Sequence, residues 1–93
     1  MTVLSHEEIS ERLAGLSGWE NHGTAITKEL KLDDFAAAIA LVDRVAQAAE
    51  AANHHPDILV HGWNKVRLSL STHSEGGLTD ADFALAKQID GLA

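Results

Sequence analysis

Lys65-Val66-Arg67-Leu68-Ser69-Leu70-Ser71-Thr72 alternates without a break, with Val66, Leu68 and Leu70 on one side and Arg67, Ser69 and Ser71 on the other. A period of two marks a β-strand with one face buried and one face in water. Just upstream, Asp57 to Trp63 reads as a second strand, pairing with the first as a hairpin. Sheets made of hairpins are antiparallel, and amphipathic helices must then cover one face.

The flanking sequence supplies those helices. The residue before a proline is pushed out of the helical region, so Pro56 predicts the close of a long helix running to about Ala52. Asp33 or Asp34 caps its start. Phe35, Ile39, Val42, Ala46 and Ala49 form one apolar stripe, which Ala38, Leu41, Val45 and Ala48 widen. So broad a face points to a deeply buried helix or to a subunit contact. Further upstream, Trp19 to Gly23 and Thr24 to Leu30 read as two strands around a His22-Gly23 turn. Ser5-His6-Glu7-Glu8 is a capping box that opens a first helix over about 6–15. Past the Gly76-Gly77 turn, Thr79-Asp80-Ala81-Asp82 is another, opening a last helix with Phe83, Leu85, Ala86 and Ile89 on its buried side. The order α-β-β-α-β-β-α predicts an α+β two-layer sandwich, a four-stranded antiparallel sheet with helices on one face.

Composition bounds the function. Ninety-three residues make one small domain, residues 1–93, near the lower end of what buries a core unaided. The absence of cysteine excludes a disulfide scaffold, a thiolate zinc site and a cysteine nucleophile. A net charge of −7 argues against a nucleic-acid binder held by phosphate contacts. No basic region followed by an apolar run opens the chain, and no apolar stretch is long enough to cross a bilayer. These features predict a cytoplasmic protein with no membrane or nucleic-acid partner.

Four of the six histidines fall between positions 54 and 73, and imidazole is the side chain that exchanges protons near neutrality. A hairpin sets the start of one strand beside the end of the next, so His54 or His55 should meet His73 at one end of the sheet. Three readings compete. Adjacent His54 and His55 point oppositely in an extended segment, and His61 falls several residues away, which argues against a metal site. Surface or capping histidines with no shared task are the plain alternative. The third is a general acid–base site, with Glu50 one helical turn before His54 to orient an imidazole. Trp19 and Trp63 read first as core or interface residues, and Asp82 as a helix cap.

Glu50-Ala51-Ala52-Asn53-His54-His55-Pro56, Trp63-Asn64-Lys65-Val66, Leu70-Ser71-Thr72-His73, Gly76-Gly77-Leu78-Thr79 and Asp82 together form a long gapped pattern. It resembles the pterin-4a-carbinolamine dehydratases, with a weaker match upstream at Gly18-Trp19 and Asp33-Asp34-Phe35. The resemblance covers nearly the whole chain. It implies a homo-oligomer, dimer or tetramer, and a reaction that dehydrates 4a-hydroxytetrahydropterin to quinonoid dihydropterin with no metal or organic cofactor. By position it implies that His54 and His73 are the acid and base, supported by His55. Glu50, Asn53, Ser71, Thr72, Ser74, Trp19 and Asp82 match pterin-site positions. Two departures stand out. Asn53 replaces an aspartate of some members, and Ile58 to Trp63 is one residue longer, which predicts a bulge re-aiming His61 and Trp63. The second reading is a non-catalytic binding or assembly module on the same fold.

Overall fold

The computed structural model describes residues 2–92. Its elements in chain order are α1 (His6–Ala14), β1 (Glu20–Asn21), β2 (Ile26–Lys31), α2 (Phe35–Ala52), β3 (Asp57–His61), β4 (Lys65–Leu70), a single 3-10 turn at His73–Glu75, and α3 (Asp80–Leu92). The four strands form one antiparallel sheet in the order β1-β2-β4-β3, the expected α+β sandwich. Val66, Leu68 and Leu70 are fully buried against the helices, and their neighbour Arg67 is exposed on the other side of the sheet.

Local chemistry explains most element ends. Ser5 Oγ accepts from the Glu8 amide while the Glu8 carboxylate accepts from the Ser5 amide, the reciprocal pair expected at α1. Asp34 caps α2 by accepting from the Ala37 amide at 2.7 Å. At its far end α2 departs from expectation. It is stopped by Asn53, in the left-handed conformation at φ 50°, rather than by Pro56. The Asn53 amide donates to the Glu50 carbonyl and the His54 amide to the Ala49 carbonyl, a Schellman pair that turns the chain before the proline is reached.

The strands are shorter than their apolar patterns. β1 keeps only two residues, and Asp57–His61 stops two short of Trp63. The bulge expected between Ile58 and Trp63 does not form: β3 and β4 pair in unbroken register from Asp57↔Ser69 to His61↔Lys65. A three-residue turn follows, in which Gly62 and Trp63 both have positive φ. Trp63 is consequently 63% exposed.

The wide stripe of α2 is divided. Ala38, Leu41, Val45 and Ala49 are buried in the core, while Phe35 and Ile39 are exposed. Arg44 Nη2 donates to the Leu92 carbonyl at 3.4 Å, so α3 lies along the opposite flank of α2. The Leu32 amide donates to the Asn64 carbonyl, and Asn64 Nδ2 to the Leu32 carbonyl. Those two bonds tie the entry of α2 to the Trp63 turn.

Candidate active site

The end of α2, the end of β4 and the start of α3 converge on Asp82. The helix start dictates this: Thr79 precedes α3, and Asp82 in its first turn reaches back to accept from the Thr79 amide at 3.0 Å. That places a fully buried carboxyl beside the end of β4. Thr72 Oγ1 donates to Asp82 Oδ2 at 2.8 Å, and His54 Nε2 lies 2.5 Å from Asp82 Oδ1. An aspartate with no exposed surface is compatible with folding only when its oxygens are occupied, and here both are.

The hairpin therefore brings His54 and the Thr72-His73 segment to one end of the sheet, as the pairing of β3 with β4 requires. His73 follows Thr72 directly and is exposed. It lines a cleft of about 370 Å³ together with Thr24, Ala25, Asp57, Ser69, Ser71 and Gly76. A second hollow of about 200 Å³ shares Asp57 and Ser69 with this cleft and continues along the open sheet face to Leu59 and Arg67. The first volume falls within the usual range for a small-molecule site, roughly 300–1,000 Å³.

The other sequence-predicted residues are placed as follows. Glu50 meets His55 rather than His54, with Oε2 3.0 Å from His55 Nε2, and both are exposed. Asn53 is the exposed C-terminal cap of α2, where its left-handed backbone is what the position demands. Ser71 faces the cleft, and its hydroxyl donates to the Thr24 carbonyl at 2.6 Å. Ser74 is exposed in the turn after β4. His61 is paired with Glu29 on the open face, away from Asp82.

Trp19 is not brought to this cluster. It is 9% exposed in the helix–sheet core, and its indole N–H donates to Asp90 Oδ1 at 2.9 Å. Asp90 stands eight residues along α3 from Asp82, about 12 Å of helix. The same carboxylate receives Lys28 Nζ at 2.8 Å and the Ser17 amide at 3.3 Å. Burial raises the Asp90 pKa, but the bonds from Lys28, Trp19 and Ser17 outweigh it and hold the group below the ordinary 3.8.

Two residues of these networks were given no site role from the sequence. Thr79 stood in the gapped pattern and as a helix cap, yet its hydroxyl also lies 2.8 Å from Thr72 Oγ1. Asp90 had no motif around it at all. Among the described residues, no group of three or more His, Cys, Asp or Glu side chains is arranged to hold a metal ion. No helix among them is long and apolar enough to cross a membrane.

Comparison with known proteins gives a consistent picture. A family model described as pterin 4 alpha carbinolamine dehydratase matches residues 2–92. A Roseiflexus sp. protein that carries the name pterin-4-alpha-carbinolamine dehydratase is 56% identical over 89 residues, covering 96% of this chain and 95% of that one. A Nocardia farcinica protein of the same name is 53% identical over 91 residues, with 98% and 95% covered. Among solved structures, a transcriptional coactivator/pterin dehydratase from Brucella melitensis superposes with a TM-score of 0.92 at 34% identity over 99% of each chain. A pterin dehydratase-like protein identified as a RuBisCO assembly factor in the alpha-carboxysome gives 0.70 at 26% identity, covering 83% of this chain and 90% of that one. With nearly every residue inside the family match and half of them shared with individual relatives, the chain belongs to the pterin-4-alpha-carbinolamine dehydratase family.

Proposed function

We propose that this protein removes water from 4a-hydroxytetrahydropterin to give quinonoid dihydropterin, with His54 and His73 as the proton-exchanging groups. Its family and its relatives make it an enzyme of the dehydratase, or lyase, class. In the reaction the electron pair of the ring nitrogen N5 forms a carbon–nitrogen double bond as the C4a–O bond breaks. One proton goes to the departing oxygen, which leaves as water, and one is taken from N5. Both transfers suit imidazoles, and each is typically worth about 10²–10⁴-fold.

The observation that carries this reading is the buried carboxylate shared by His54 and Thr72. It couples one imidazole rigidly to the strand end that bears the other. His73 reaches the cleft with its ring unengaged among the described residues, so it is available to a ligand. Ser71, Asn53, Ser74 and the exposed His55–Glu50 pair border the same end of the sheet and serve to bind and orient the pterin. The test is turnover of carbinolamine by the wild type against His54→Ala and His73→Ala.

The protein works as a homo-oligomer. β3 is an edge strand, Leu59 on it is 54% exposed, and Phe35 at the tied end of α2 is also 54% exposed. Ile39 and Trp63 are exposed too, so β3 leaves an unpaired strand edge on a chain with uncovered apolar side chains in both layers, a surface that monomers ordinarily blunt. A second copy of the chain covers it. The assembly role printed for one structural relative belongs to that protein; in this chain the intact His54, His55 and His73 set favours catalysis.

A further inference from the structure

Thr72 is positioned to hold the machinery rather than the substrate. It is 6% exposed, and each of its polar atoms is engaged within the chain. Its amide donates to the Gly77 carbonyl at 3.0 Å, and its carbonyl accepts from the amides of Glu75 and Gly76, each at 3.0 Å. Its hydroxyl lies 2.8 Å from both Asp82 Oδ2 and Thr79 Oγ1. A side chain so occupied has little left to offer a pterin.

The donors and acceptors fix a direction through this cluster. A carboxylate only accepts, so the single Thr72 hydroxyl proton points to Asp82. The bond between the two threonines is then donated by Thr79, whose oxygen accepts from the Ala81 amide at 3.3 Å. Asp82 Oδ2 also takes the Thr79 amide, which leaves Oδ1 to face His54. The proton in that 2.5 Å contact therefore sits on His54 Nε2. In the neutral ring the lone pair is then on Nδ1.

We propose that Thr72 and Thr79 are positioning residues that act through Asp82 to hold His54 in its Nε2–H tautomer, making Nδ1 the atom that exchanges a proton with the substrate. The catalytic half of this inference rests on the dehydratase reading; the tautomer does not. Whichever direction the proton moves, the same nitrogen handles it. Because Asp82, Thr72 and Thr79 are all buried, the ring needs no reorganisation at the moment of reaction.

The test is nitrogen NMR of the full chain labelled with ¹⁵N-histidine, with the His54 signals assigned by their loss in His54→Ala. The wild type is expected to show His54 as Nε2–H when neutral; Nδ1–H would overturn the proposal. Thr72→Val keeps the shape and removes the hydroxyl. It should blur the tautomer preference and lower kcat by about ten- to a hundredfold, with KM within about twofold. Thr72→Ser should restore both, and Thr79→Val should act in the same direction more weakly. A raised KM with kcat retained would make Thr72 a pterin contact, and a lost kcat with the tautomer unchanged would make it merely structural; either overturns the proposal. Should Thr72→Val not fold, Thr79→Val against the wild type still decides: a tautomer preference unchanged by the loss of the Thr79 hydroxyl would overturn the proposal. A wild type that shows the tautomer but no dehydration supports the lock and counts against the dehydratase reading instead.

Discussion

His54 Nε2 and Asp82 Oδ1 lie 2.5 Å apart across 28 positions of sequence, joining the residue just past the α2 cap to the first turn of α3. The acid sits where a helix favours negative charge, at its N-terminus, and where solvent does not reach. One contact thus joins the ends of two helices, and under the proposed function it also serves the chemistry. Asp82→Asn keeps the volume but sets an amide among three donors. It is expected to lower kcat by about 10²–10⁴-fold with little change in far-ultraviolet circular dichroism. Retention of full activity in Asp82→Asn would remove the carboxylate from the mechanism.

His54→Ala and His73→Ala should each lower turnover by about 10²–10⁴-fold. Neither belongs to the apolar core, so thermal melts should still show one cooperative transition. The double variant should lose less than the product of the two single losses, because the two rings act in one event. Steady-state kinetics on purified, folded variants checks all three values.

Asp90 makes a separate prediction about acid stability. Its folded-state pKa is depressed, so its contribution is complete above the ordinary value of 3.8 and is lost as the pH falls through the lower folded value. Asp90→Asn is expected to cost about 1–3 kcal/mol at pH 6. The gap from wild type should close progressively below about pH 4. Urea denaturation at a series of pH values reads this directly, and a gap that widened with acid would contradict the sign.

The open edge of β3 and the exposed Phe35 and Ile39 of α2 predict assembly. Light scattering at micromolar concentration should give a mass of two chains or a multiple of that. Phe35→Asp combined with Ile39→Asp should shift it toward one chain. A wild type that remains a monomer would leave the apolar edge without the partner assigned to it.

Much of this was legible in the chain because periodicity and capping act locally. The β4 alternation at Val66, Leu68 and Leu70 is a direct record of burial, and Ser5 and Asp34 start their helices by contacts three residues long. The convergence of His54 on the strand end bearing His73 needed only the hairpin register. What escaped were end effects and contacts between distant segments. Asn53 stops α2 before Pro56 can, a choice between two competent breakers that local propensity does not rank. The bulge expected before Trp63 does not form, because Gly62 and Trp63 take up positive φ in the turn and leave the ladder in register. Of the α2 stripe, Phe35, Ile39 and Ala46 are exposed while Ala38, Leu41, Val45 and Ala49 face the core, a division that helical spacing alone does not reveal. Trp19 with Asp90, and Thr72 with Thr79, are matched by tertiary packing alone, so neither pairing leaves a spacing to read.

The most direct test of the central claim is a coupled assay. Purified protein is added to a pterin-dependent phenylalanine hydroxylase reaction that generates the carbinolamine, and the ultraviolet decay of that species is followed against its spontaneous rate, with His73→Ala alongside. The account predicts faster decay with the wild type and a return to the spontaneous rate with the variant. A folded wild type that leaves the decay unchanged would contradict it.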